Sequence, residues 1–267
     1  MMPLAKSNPQ IQRLRRLMGR RSSRYEEGVF VLESPKNLDE ALDAAWPIEC
    51  IYVLEGADHT VLYRAADEGI PIVLIDQGAL DSVSDTVSPQ PILATARLIG
   101  SALDALREPL QAGGFVIVGV EIQDPGNVGT MIRTAEAAGA CGILFTKGSA
   151  DVTNPKVVRS AAGSLFHLPI VVDVDPLALI SQLHEWGAAS WASAILGDGV
   201  VPYDQADLTG GCALLMGNEA NGISSEVAAS CSRSITIPMS GNTESLNVAI
   251  ATGVFAFEAA RQRRLLG

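Results

Sequence analysis

Apolar positions along the chain change their period twice. Ile11, Leu14, Leu17 and Met18 are spaced i, i+3, i+6, i+7, which predicts one helical face, with Arg13, Arg16 and Arg20 on another side. From Val29 the pattern turns strand-like. VFVL (29–32) is a short buried strand, and SPKNLDEALDAA (34–45) is a helix with Leu38, Ala41, Leu42 and Ala45 on one face and Pro47 beyond its end. A strand over 48–56, a helix over 60–69 closed by Gly69, and a strand over 70–76 complete an α/β unit. The Ser/Asp/Pro-rich stretch 81–91 reads as a loop, and 92–110 as strand into helix.

A second alternation follows Gly113-Gly114. Strands are expected at 115–122, 141–147, 168–174, 190–197, 212–219 and 234–239. Helices are expected at 128–140, 154–166, 176–187 and from 247 to the C-terminal arginines. DPGN (124–127) reads as a turn. Near-continuous apolar strands between helices predict a mostly parallel sheet covered on both faces. The expected division is a basic N-terminal arm (1–24), an α/β substrate-binding domain (25–97), a linker (98–112) and a second α/β domain (113–267).

Charge changes this picture. Nineteen Lys and Arg stand against 30 Asp and Glu, for a net −11, which argues against a protein that binds nucleic acid over its whole surface. The average hides an asymmetry: residues 1–24 carry +7 and no acid, residues 25–112 carry −12, and residues 113–267 carry −6. Arginine dominates the basic segment, and guanidinium forks match phosphate oxygens. Arg16, Arg20, Arg21 and Arg24 are therefore candidate phosphate contacts, with a solvated helix face as the alternative.

Other classes are excluded by what is missing. The longest nearly apolar stretch is 12 residues (246–257) and is interrupted by Asn247, Thr252 and Gly253, whereas a membrane span needs about 20. The four cysteines lie at least 19 positions apart, with no zinc spacing and no disulfide framework, so no metal is expected. The N-terminus lacks the apolar core of a secretory signal, and a reducing cytoplasm is the expected location. No Walker A, GxSxG, HExxH or dinucleotide fingerprint is present. His59, His167 and His184 are scattered and read as structural.

Ligands bind open α/β sheets at the carboxyl ends of strands. Three such junctions carry Gly, Asn or a carboxylate: 121–139 with Asn127 and Arg133, 214–224 with Gly217 and Glu219, and 237–253 with Ser245, Leu246 and Asn247. Ser245 or Thr243 is the expected cap of the last helix, whose Ala249, Ala251, Gly253, Ala256 and Ala259 suit close packing.

Each junction alone is weak. In this order they resemble the three motifs of the SpoU (TrmH) family of RNA ribose 2′-O-methyltransferases, within the SPOUT class. The matches are Asn127, Gly129, Arg133, Thr134 and Ala135; Gly217, Glu219 and Gly222; and Ile237, Pro238, Met239, Ser245, Leu246 and Asn247. Ala220 departs mildly from the second motif, where a Gly is common. RSAAGSLFHLPI (159–170) resembles the family's middle segment. FVLESPKNLDEAL resembles its ribosomal-protein-like substrate-binding domain, in which a Gly often stands at the place of Ser34.

The resemblance implies a C-terminal trefoil knot, a homodimer and bound S-adenosyl-L-methionine. It implies cofactor contacts from Met216, Gly217, Ile237, Met239, Leu246 and Asn247, and catalytic roles for Asn127, Arg133, Glu219, Ser245 and Asn247. Arg133 matches the family's assigned base. A guanidinium stays protonated, so gripping the target phosphate and stabilising a developing alkoxide suits it better. Large-subunit ribosomal RNA is the expected substrate; transfer RNA is the alternative, because its enzymes usually lack the first domain. Two rivals are a non-catalytic ribosome-assembly factor, against which Arg133, Glu219 and Asn247 argue, and a nucleotide-dependent oxidoreductase, against which the missing fingerprint argues.

Overall fold

The computed structural model describes residues 2–265 apart from Asp85, Val87, Ile99, Leu196 and Asp198. The extreme ends of the expected arm and second domain, two positions of the expected 81–91 loop, Ile99 of the expected linker and Leu196 of the expected 190–197 strand thus lie outside the described residues. The chain forms two compact units, Met1–Ile99 with Thr153–Phe166, and Gly100–Val152 with His167–Gly267.

In the first unit, α1 (Pro9–Gly19) starts at Asn8, whose side chain accepts from Gln10 N–H, with Pro9 in the first turn. α2 (Arg21–Glu27) ends at left-handed Gly28. Then come β1 (Val29–Glu33), α3 (Pro35–Asp43), β2 (Ile48–Leu54), α4 (Thr60–Asp67), β3 (Ile72–Ile75), α5 (Gln77–Val83) and β4 (Ile92–Arg97). The sheet order is β1-β4-β2-β3, with β4 antiparallel to both neighbours and β2 parallel to β3. The expected 81–91 loop begins three residues later, at Ser84. Ala79, Leu80 and Val83 carry one buried face of α5 through Val83, and Asp76 caps that helix.

Residues 1–24 are not a detached arm. Leu4 bridges to Ile75, and the buried Ile11, Leu14 and Leu17 share a core with Ile75, Ala79 and Leu80. The apolar face of α1 needs a partner, and β3 and α5 supply it.

The second unit begins with a 3-10 turn (Leu103–Leu106) and α6 (Arg107–Gln111). It continues with β5 (Phe115–Gly119), α7 (Pro125–Ala137) and β6 (Gly142–Thr146). After β6 the chain enters the first unit as α8 (Pro155–Ala161) and a 3-10 turn (Ser164–Phe166). The helix expected over 154–166 breaks there because Ala162 and Gly163 both take positive φ, 52° and 99°. Phe166 packs its ring 6.4 Å from that of Phe30 and 5.3 Å, edge-on, from that of Trp46. Arg159 ion-pairs with the buried Glu33.

The chain then returns as β7 (Ile170–Val174), α9 (Pro176–Glu185), β8 (Ala189–Ser193), β9 (Val200–Pro202), β10 (Cys212–Met216), α10 (Ser225–Ser230), β11 (Arg233–Thr236) and α11 (Val248–Arg264). Seven strands lie in the order β7-β6-β5-β10-β8-β11-β9, and every pairing is parallel. β5, β6 and β10 are buried at every position, as a sheet covered on both faces requires. The pattern missed β9 and α10, which at three and six residues are too short to show a period.

Replacing Leu14 with Ala should lower unfolding stability by about 2–5 kcal/mol, as for other fully buried leucines. Chemical denaturation checks this; an unchanged midpoint would mean that α1 is a loose appendage after all.

Candidate functional site

β5, β10 and β11 all end at the same edge of the parallel sheet, and the three expected junctions follow them. At the first, Val120 N–H donates to Met216 O at 2.8 Å, extending the β5–β10 ladder by one bond. Glu121 then takes a left-handed φ of 54°, turning the chain out of the sheet. Its N–H donates to Thr146 Oγ1 at 2.9 Å, and Ile122 N–H donates to Ser149 Oγ at 3.1 Å. The expected DPGN turn is already the helix start: Asp124 caps α7 by accepting from Asn127 N–H at 3.0 Å.

That cap holds Asn127 at the first turn of α7. Its amide joins the other two junctions. Asn127 Nδ2 donates to Glu219 Oε1, and Asn247 Nδ2 donates to Asn127 Oδ1 at 3.0 Å. The direction is set by Asn247, the actual cap of α11 in place of Ser245 or Thr243. Its Oδ1 accepts from Ala249 and Ile250 N–H at 3.0 and 3.3 Å. Only its NH2 is left to face Asn127, which must answer with oxygen and turn its own NH2 to the Glu219 carboxylate.

Two local features shape the loop that carries Glu219. A Cβ on Gly217 would lie 2.5 Å from Gly222 C and 2.6 Å from Ile223 N, so only glycine lets the loop fold back this tightly. Asn218, which sequence reasoning gave no role, is buried and ties the loop down. Its Nδ2 donates to Glu121 O at 2.8 Å, and its Oδ1 accepts from Ala220 and Asn221 N–H at 2.8 and 3.3 Å. The signal was an Asn directly after a strand and a Gly, a residue type that bonds its own downstream backbone.

The structure thus brings Asn127, Glu219 and Asn247 together. Arg133 is exposed on α7 and Ser245 is exposed before α11; neither belongs to that chain of hydrogen bonds. Met216 is enclosed within β10 at 1 % exposure, Ile237 and Met239 are half-buried, and Leu246 is exposed. α11 runs against α7, and a Cβ on Gly253 would stand only 3.9 Å from Thr134 Cγ2.

The arginines of the N-terminal segment divide. Arg24 is a correction: it is 3 % exposed, and its guanidinium donates to Leu17 O at 2.7 Å and to Thr153 Oγ1 at 3.0 Å, so it clamps structure instead of facing RNA. Arg13, likewise, pairs with Glu27 and Glu49. Arg16, Arg20 and Arg21 are exposed, with Arg21 5.0 Å from the centre of the Tyr25 ring.

Thiol and imidazole chemistry find no support. All four cysteines are free, and burial pushes each thiol up, away from the reactive thiolate. His59 caps α4 through Val61 N–H, and His184 bonds Ser190 and Ser232. Among the described residues, no three His, Cys, Asp or Glu side chains gather as a metal site, and no helix is long and apolar enough to cross a membrane.

Comparison with known proteins bears on this edge. Residues 114–257 match the SpoU rRNA Methylase family, and residues 8–94 match the MRM3-like substrate binding domain. The 23S rRNA (guanosine(2553)-2′-O)-methyltransferase RlmP of Bacillus subtilis is 30% identical over 237 residues, spanning 89% of this chain and 90% of that protein. The 23S rRNA (uridine(2479)-2′-O)-methyltransferase of Streptomyces viridochromogenes is 30% identical over 265 residues, 96% of this chain and 91% of that one. The crystal structure of the SpoU methyltransferase AviRb from Streptomyces viridochromogenes with the cofactor AdoMet superposes with a TM-score of 0.85 at 27% identity, covering 96% of this chain and 98% of that chain. With the family's motifs meeting at one sheet edge and its model spanning more than half of the sequence, the chain belongs to the SpoU rRNA methylase family.

Proposed function

We infer that the protein is an S-adenosylmethionine-dependent ribose 2′-O-methyltransferase of large-subunit ribosomal RNA. The observation that carries this is the Asn247–Asn127–Glu219 chain, which joins the ends of three loops at the carboxyl edge of the sheet. The similar 23S rRNA methyltransferases, matched over about nine-tenths of their length, favour ribosomal over transfer RNA.

The residues at this edge suit the cofactor. The Gly217 turn admits no Cβ and so presents bare backbone. Gly217, Ile237, Leu246 and Asn247 would hold the cofactor, with Met216 and Met239 beside its adenine. When bound, S-adenosylmethionine supplies a methyl group already activated by sulfonium charge. The protein's part is alignment and charge control. Asn127, pinned by Asn247 and by the Asp124 cap, fixes the Glu219 carboxylate. That carboxylate and Ser245 then orient the ribose. Arg133, exposed on α7, grips the target phosphate and stabilises negative charge developing on the 2′-oxygen while the hydroxyl proton passes to solvent water.

RNA reaches the protein through the first unit, with Arg16, Arg20 and Arg21 as phosphate contacts. The active form is a homodimer. Ile250 and Phe257 lie 58 % and 47 % exposed on α11, one i, i+7 stripe of apolar side chains that a second copy would cover. The trefoil knot and a cytoplasmic location complete the reading.

The direct test is transfer of labelled methyl from S-adenosylmethionine to ribosomal RNA fragments and transfer RNA, with mapping of the alkali-resistant 2′-O-methylated linkage. Label on neither RNA would overturn the activity, and label on transfer RNA alone would overturn the substrate. Gly217→Ala should weaken S-adenosylmethionine binding at least about tenfold, the cost of displacing backbone in contact; calorimetry that finds wild-type affinity would remove Gly217 from the cofactor site. Arg133→Lys keeps charge and loses the guanidinium fork, and should lower kcat on the order of 10²-fold at saturating RNA. Wild-type kcat in that variant would exclude the arginine role.

A further inference from the structure

The first unit holds a cavity of about 260 Å³ that contains none of the residues of the three loops. Among the described residues its lining is polar or charged except for Ala162, and includes Glu33, Ser34, Lys36, Ser88 and Arg159. Resting on the function inferred above, we propose that this cavity seats one unpaired nucleotide of the RNA substrate, apart from the nucleotide that is methylated.

The floor is the Glu33 carboxylate, 5 % exposed, which accepts from Arg159 Nη1 and from Ser84 Oγ. A carboxylate has about four acceptor positions, so two bonds leave capacity for the amino or imino N–H of a base edge. Gln90, Thr86 and Ser88 add neutral donors and acceptors along one wall. Asn37 is 3 % exposed, and its amide is committed to Glu33 O at 3.2 Å, so it builds the wall.

The mouth carries the complementary charge. Lys36 is exposed at the first turn of α3, beside the Ser34 hydroxyl that caps the helix through Asn37 N–H. Pro35 at the helix start has no N–H, so Lys36 supplies the donors there: its ammonium and the helix-end N–H. Within a stretch of net −12, that cation is suited to one phosphate. Ser34 holds φ at 120°, a conformation that a glycine would adopt without strain.

Among the described residues no aromatic ring lines the cavity, so recognition would come from hydrogen bonds and the phosphate, as fits a nucleotide splayed out of a loop or bulge. Arg159 and Ala162 lie on the stretch of chain between β6 and β7, so the occupied cavity is tied through the backbone to the methyltransferase sheet.

The test uses full-length protein and a ribosomal RNA fragment that wild-type protein methylates. Lys36→Ala should raise the RNA KM about tenfold, the worth of one charge-assisted contact, and flatten the dependence of log K on log salt by roughly 0.7. Cofactor affinity should stay at the wild-type value. Lys36→Arg should restore the salt slope. Ser88→Trp, at an exposed wall position, should match the KM defect by filling the space. If the wild type methylates RNA while Lys36→Ala and Ser88→Trp keep its KM and salt slope, the cavity is not an RNA site and the methyltransferase reading stands. If the wild type neither binds nor methylates ribosomal RNA, both readings fall.

Discussion

One amide holds the candidate active site together. Asn127 must give one hydrogen bond and receive another from residues 92 and 120 positions further along the chain. Neither partner is within local reach, so the bonds form only if three strands end at the same edge at matching heights. The parallel ladder provides this: Gly119 of β5 stands in register with Met216 of β10, and β8 links β10 to β11. Each loop then begins its turn at a fixed level. Glu121 turns out with a left-handed φ, Gly217 folds back against Gly222, and Asn247 opens α11. The fold is therefore a device for bringing three weak local signals to one point.

The same logic explains how an acidic protein can meet RNA. Charge does not act as an average. Paired arginines such as Arg13 and enclosed ones such as Arg24 serve the core of the first unit, while Arg16, Arg20 and Arg21 stay at its surface. Acidic surface elsewhere repels a polyanion and narrows the ways it can approach.

Much of this was legible in sequence, for physical reasons. Long apolar strands and amphipathic helices announce themselves by period, so the two α/β units and the parallel sheet were readable. The three junctions were visible as strand ends rich in Gly, Asn and carboxylate. What escaped depends on tertiary partners. The basic segment looked like an arm because sequence cannot say what covers the Leu14 face. The helix over 154–166 looked continuous because nothing local says that Ala162 will take a left-handed turn, or that this stretch packs with the first unit. Arg24 looked like its neighbours until its hydrogen bonds showed it enclosed. Asn218 was missed because its work lies in bonds to Glu121 and its own loop.

The claim that Asn127 works by holding Glu219 is tested most directly by a double-mutant cycle on kcat for methyl transfer to ribosomal RNA, comparing Asn127→Ala, Glu219→Gln and the double variant. Residues acting as one unit lose little more together than the worse single change does alone. The expected result is a double variant within about threefold of the slower single one. Losses that multiply would show that Asn127 and Glu219 act independently, and would contradict the hydrogen-bond chain as the organising element of the site.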